Sequence, residues 1–178
     1  MINQNKQLNF LQGDNTPLVN PQECDTGNIQ ALKIYIDGAA RKNPGPAGSG
    51  VFLKKGEEII FEQGFFLGDR TNNQAEYFAL LLAAFFIKQY AQKEDLVLVY
   101  SDSQLLVRQM TGMYVVRDLT LKKMQQVASE MFVGYNVKFC HVYREQNQQA
   151  DLLANRGIDK KIPLPKNFLD IMQQYGIS

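Results

Sequence analysis

Two short apolar runs, each delivered onto an aspartate, constrain the fold of this chain more than any other feature. Leu32-Lys33-Ile34-Tyr35-Ile36 leads into Asp37, and Leu96-Val97-Leu98-Val99-Tyr100-Ser101 leads into Asp102. Runs of this length, rich in β-branched and aromatic residues, read as strands, the second of the buried kind. In α/β sheets the strand ends are where sites are built. A sheet that gathers these two ends places two carboxylates on one edge.

The remaining pattern supplies that sheet. Asn43-Pro44-Gly45-Pro46 is turn chemistry. Val51-Phe52-Leu53 and Ile59-Ile60-Phe61, joined through Gly56, read as a hairpin whose second strand reaches about residue 66. From Gln74 to Tyr90 apolar residues recur at helical spacing, with Asn72 or Asn73 placed to cap the first turn. Phe78, Leu82, Phe85 and Phe86 widen the stripe, so this helix is expected to be largely buried. Further helices are read over 103–110, 119–132 and 148–156, with a fifth strand over 136–143. The order β-β-β-α-β-α-α-β-α describes an α/β layered domain.

The ends differ in character. Residues 1–30 are rich in Asn, Gln, Asp and Pro without an apolar period and read as a tail; residues 158–178 read as an extension with a helix near 168–175. The domain proper is expected over 31–157. The longest apolar stretch, 78–87, is too short to span a bilayer, and the first ten residues lack an apolar signal core. A cytoplasmic monomer without membrane or protein partners is the expectation. Cys24 and Cys140 lack metal-ligand spacing, no disulfide is expected between them, and Cys140 reads as a buried small hydrophobe. Formal charge is +1; the first 30 residues hold one lysine and three acids, leaving residues 31–178 with 18 basic and 15 acidic side chains. Any anionic partner must therefore meet a local patch.

Two more carboxylates, Glu76 and Asp151, lie near helix starts. Each acid alone has a structural alternative: a cap or turn residue, a dipole-favoured helix acid or a solvated side chain. Together, on one edge and without histidine or cysteine, they favour hard cations such as Mg²⁺ or Mn²⁺. Two such ions roughly 4 Å apart suit phosphodiester hydrolysis.

Four blocks then resemble the type 1 ribonuclease H family, in family order. They are Tyr35-Ile36-Asp37-Gly38 through Asn43-Pro44-Gly45-Pro46-Ala47-Gly48, Thr71-Asn72-Asn73-Gln74-Ala75-Glu76-Tyr77, Tyr100-Ser101-Asp102-Ser103-Gln104-Leu105, and Arg144-Glu145-Gln146-Asn147 through Asp151 and Asn155. The resemblance implies a ribonuclease H-like fold, a five-stranded mixed sheet with its first three strands antiparallel and helices flanking it. It implies an endonuclease that cuts the RNA strand of RNA–DNA hybrids with two Mg²⁺ ions (Mn²⁺ as substitute), leaving 5′-phosphate and 3′-hydroxyl ends. Asp37, Glu76, Asp102 and Asp151 match the metal-binding acids. Gly38, Asn43, Asn72, Asn73 and Gln104 match contacts to the hybrid minor groove, and Thr71, with Ser103 nearby, a phosphate pocket of the DNA strand. Short amides suit a groove that carries 2′-hydroxyls on one strand only, and Gly38 would let the backbone approach the RNA.

The chain also departs from the pattern of many members. The stretch before Asp151 is short and holds no histidine; the single histidine, His141, lies in the presumed fifth strand, and Glu145 is a candidate helper. The segment after Asp102 is short, lacks tryptophan and offers Arg108, Arg117, Lys122 and Lys123 as its basic residues. Both features point to a compact subgroup. Two other readings stay open at this level: another nuclease of the same superfamily, and a non-catalytic hybrid-binding protein.

Overall fold

A computed structural model describes residues 31–177. Five strands, β1 (Leu32–Ala40), β2 (Gly45–Lys55), β3 (Glu58–Arg70), β4 (Leu96–Ser101) and β5 (Asn136–His141), form one sheet in the order β3-β2-β1-β4-β5. β1 to β3 pair antiparallel, whereas β1–β4 and β4–β5 pair parallel. The helices are α1 (Asn72–Tyr90), α2 (Gln104–Met110), α3 (Leu119–Phe132), α4 (Gln148–Lys160) and α5 (Lys166–Gln174). The expected mixed sheet and element order are present. The tail expectation for residues 1–30, including any pairing of Cys24, lies outside the described residues; Cys140 is fully buried.

Side chains of successive strand residues point to opposite faces, and β2 uses this alternation to seat two helices. Ser49 donates to the Ala75 carbonyl of α1 at 2.7 Å, while Gly48 and Gly50 face the backbone of α4. α1 and α4 therefore cover opposite faces. α4 sits unusually close to the sheet: a methyl on Gly64 would lie 1.6 Å from the Leu153 carbonyl oxygen. β2 begins at Gly45 and β3 runs to Arg70, beyond the strands read from apolar residues alone, because the two strands pair with each other from Gly45 opposite Arg70 onward. Glycine here serves helix-to-sheet approach within strands, where sequence pattern reads a loop.

α1 is buried along its whole middle, Ala75 to Ile87. It lies between the sheet and α3, and its far end meets α5, where the Phe85 and Phe168 rings contact edge-on at 5.5 Å. Phe168 and Met172 are both buried in the main core, which anchors the C-terminal helix. The cap of α1 differs from expectation. Thr71, not Asn72 or Asn73, is the N-cap: its hydroxyl accepts from Gln74 N–H at 3.2 Å, and Gln74 Oε1 accepts from Thr71 N–H at 2.9 Å. This is the reciprocal Thr-x-x-Gln box, which satisfies two otherwise orphaned donors.

Gly64→Ala is expected to destabilise the protein by at least ~3 kcal/mol, at or above the upper end for overpacking. Gly68→Ala, at φ +73° with nothing within 4 Å of an added Cβ, should cost only about 1–2 kcal/mol of backbone strain. Urea unfolding compares the two; equal costs would contradict the close seating of α4.

Candidate active site

The site grows from the central strand. β1 and β4 run parallel through Tyr35 opposite Tyr100, and their ladder ends there. Just past that end stand Asp37 and Asp102. Asp37 is not at the end of β1, as the apolar run suggests, because β1 continues to Ala40 by pairing with β2. The N-terminus of α1 drops onto the same place. Gly38 makes this possible: a Cβ there would lie 2.1 Å from the Glu76 nitrogen. The start of α1 fills the space that a side chain at Gly38 would need.

Carboxylate oxygens of Asp37, Glu76 and Asp102 all lie within 4.8 Å of one another. Asp37 and Glu76 are 5% and 7% exposed. Asp151 stands at the rim, outside this tight group, with its carboxylate accepting from Arg144 Nη2 at 3.1 Å. Burial first, and the neighbouring charges of Asp102 and Asp151 second, push the Asp37 carboxyl up to about 7, with Arg144 opposing. Burial, then Asp37 and Asp102, push Glu76 well above the usual carboxylate range, against the Gly38 N–H. One Glu76 oxygen, Oε2, is buried without a hydrogen-bond partner. An all-oxygen cluster with an unsatisfied buried acceptor fits a hard divalent cation.

The other expected residues ring this cluster in mixed roles. Asn72, Asn73 and Gln104 are exposed at the first turns of α1 and α2, with their amides open to solvent. Asn43 is exposed, and its Oδ1 accepts from Asn72 N–H at 3.0 Å. Ser103 caps α2, accepting from Leu106 N–H at 3.4 Å. Thr71, Asn43 and Ser103 therefore all support helix starts beside the acids. His141 ends β5 opposite Ser101, with its ring edge-on to Tyr143, as a strand residue. Glu145 lies in a 3₁₀ turn, Arg144–Gln146, and lines a hollow with Arg144, Gln148 and Asp151.

Two residues at the site have no role in the sequence reading. Arg144 is the cation facing the acids. Asn147 is 1% exposed and donates from Nδ2 to both the Ile36 carbonyl and Asp102 Oδ1, each at 2.9 Å. The visible signal was an Asn one turn before Asp151, but its partners lie 111 and 45 positions away, and local pattern cannot report them.

Without metal, the sign of the pH dependence follows from the raised values. A carboxyl whose folded pKa exceeds its unfolded one binds more protons when folded, so stability is present at low pH and lost as pH rises toward the folded value. In chelator, the Tm should fall between about pH 4 and about pH 7. Asp37→Asn should raise the Tm at neutral pH and flatten this fall; thermal scans across pH check it, and an unchanged profile in the variant would contradict the assignment.

Comparison with known proteins agrees with this geometry. Residues 29–159 match the RNase H family. The chain is 38% identical over 148 residues to a ribonuclease HI of Halobacterium salinarum, covering 82% of this chain and 71% of that protein. The crystal structure of RNase H1 from the same archaeon matches with a TM-score of 0.69 at 37% identity, over 73% of this chain and 98% of that one. LC11-RNase H1, solved in complex with RNA/DNA hybrid, matches with a TM-score of 0.69 at 39% identity, over 72% and 97%. A fold of five mixed strands, a carboxylate cluster at its central strand and relatives of this similarity lead to one conclusion: the chain belongs to the ribonuclease H family, among the type 1 enzymes.

Proposed function

We propose that this ribonuclease H hydrolyses the RNA strand of RNA–DNA hybrids, leaving 5′-phosphate and 3′-hydroxyl ends, with Asp37, Glu76, Asp102 and Asp151 holding two Mg²⁺ ions (or Mn²⁺). The observation that carries the reading is the convergence of three carboxylates, from β1, from α1 and from the residue after β4, within 4.8 Å, with Asp151 at their rim. A related protein, LC11-RNase H1, is known in complex with an RNA/DNA hybrid, which supports the substrate class.

When bound, such ions supply an activated water and charge stabilisation of the leaving oxygen. The chain's own residues do the rest. Asp37 and Glu76, buried and at close quarters, would hold such an ion as carboxylates, their protons passing to solvent. Asp151 is half-exposed and reaches the cluster from outside. Asn72, Asn73 and Gln104 present exposed amides that can donate to and accept from 2′-hydroxyls, which distinguishes RNA from DNA in a wide minor groove. Gly38 and Asn43 stand in the same contact zone, and Thr71 and Ser103 border the DNA-strand phosphate. Residues 31–157 would form the catalytic unit, with residues 158–178 bracing it. The compact segment after Asp102 and the turn before Asp151 do without a mobile histidine. A cytoplasmic monomer completes the reading; among the described residues no helix is long and apolar enough to cross a membrane.

The test uses labelled hybrid, double-stranded DNA, double-stranded RNA and single strands with Mg²⁺ or Mn²⁺. Cleavage is expected in the RNA strand of the hybrid alone. Asp37→Asn should lower the rate by roughly 10³-fold or more, as loss of several kcal/mol of charge stabilisation implies, with an unchanged circular dichroism spectrum. Cutting of DNA would instead favour another nuclease of the superfamily, and binding without cutting a non-catalytic protein.

A further inference from the structure

Asn147 occupies the start of α4, where an Asn side chain ordinarily caps its own helix. It makes no such cap bond. Its amide is turned away to β1 and β4. One amide hydrogen meets the Ile36 carbonyl, just beyond the last paired residues of β1 and β4, and the other meets Asp102 Oδ1. Both partners are acceptors, so the amide orientation is fixed: a flipped oxygen would face two oxygens. The remaining amide oxygen is buried without a partner. The backbone carbonyl of the same residue accepts from Asp151 N–H at 3.1 Å. One residue thus ties together the carbonyl preceding Asp37, the carboxylate of Asp102 and the backbone of Asp151.

A residue chosen for stability alone would cap α4 and leave no buried oxygen unsatisfied. We infer that Asn147 is a positioning residue for cation binding: it holds one Asp102 oxygen in place beside Asp37, so that the other is aimed into the cluster. The inference rests on the carboxylate reading above and deepens it. An amide supplies the constraint without adding a charge, which an acid would bring to an already repulsive group. Groups that orient metal ligands typically change metal affinity or activity 10- to 100-fold when lost.

The test is Mn²⁺ binding by calorimetry on the full chain without hybrid, for the unaltered protein and for Asn147→Ser, Asn147→Ala and Asp102→Asn. Serine could offer a helix cap that Asn147 does not make but cannot bridge both acceptors; alanine offers neither donor nor cap, so the pair keeps the test valid if one variant fails to fold. Both variants are expected to bind Mn²⁺ roughly tenfold or more weakly. The kcat on hybrid should fall in parallel, with KM for hybrid within about twofold, since no substrate contact is lost. A lowered Tm with unchanged Mn²⁺ affinity and kcat would reduce Asn147 to a structural residue and overturn the inference. Asp102→Asn separates the two levels. If it weakens Mn²⁺ binding and the Asn147 variants do not, only the positioning role fails. If Asp102→Asn binds Mn²⁺ as the unaltered protein does, the carboxylate reading fails and the positioning role with it.

Discussion

The repulsion among Asp37, Glu76 and Asp102 is the constraint around which the rest of this molecule is arranged. Taking an ionised carboxylate out of water costs several kcal/mol even after relaxation, and here two nearly buried acids share one small volume with a third. No single contact can hold such a group. Rigid elements do it instead. β1 is the central strand of the sheet, fixed on both sides by β2 and β4. α1 is buried along its middle, and its first turn is pinned by the Thr71–Gln74 box and by Asn43. Each acid rides on an element that cannot move far without disturbing the core.

Close approach is the second requirement. β1 must pass within contact of the start of α1, and the absence of a side chain at Gly38 allows it. On the other face, the glycines of β2 and β3 let α4 lie close to the sheet, which carries Asp151 to the rim of the cluster. Asn147 and Arg144 then work at that rim from opposite sides of the charge balance: one fixes Asp102 with a neutral amide, the other faces Asp151 with a cation. A divalent ion would take the place of the protons that otherwise neutralise these buried carboxyls, so cation binding is linked to proton release.

Much of this was legible in the sequence, and for physical reasons. The two apolar runs ending at Asp37 and Asp102 are strands because buried parallel strands demand such composition. α1 was legible as a buried helix because its apolar stripe is nearly all-round. Thr-Asn-Asn and Ser-Asp-Ser-Gln mark helix starts, and the capping box over Thr71 and Gln74 was present as a pattern although the adjacent asparagines drew the assignment. What stayed hidden depends on tertiary approach. The start of β2 reads as a turn because Gly45 and Pro46 carry turn chemistry, and only the pairing with β3 opposite Arg70 and Asp69 shows it to be strand. Gly38 has two possible reasons for lacking a side chain, and only the fold shows which neighbour occupies the space. Asn147 reads as a cap, and its actual partners lie on other elements.

The measurement that tests the central claim most directly is proton exchange on metal binding. Mg²⁺ is titrated calorimetrically into the metal-free protein near neutral pH, in two buffers of different ionisation enthalpy. With the Asp37 carboxyl pushed up to about 7 and Glu76 well above the usual range, binding should release protons, because ligands must be deprotonated to bind. The release should diminish in Asp37→Asn. Mg²⁺ binding with no net proton release, equal in both buffers, would contradict the account, since the carboxylates would then already be ionised in the metal-free fold.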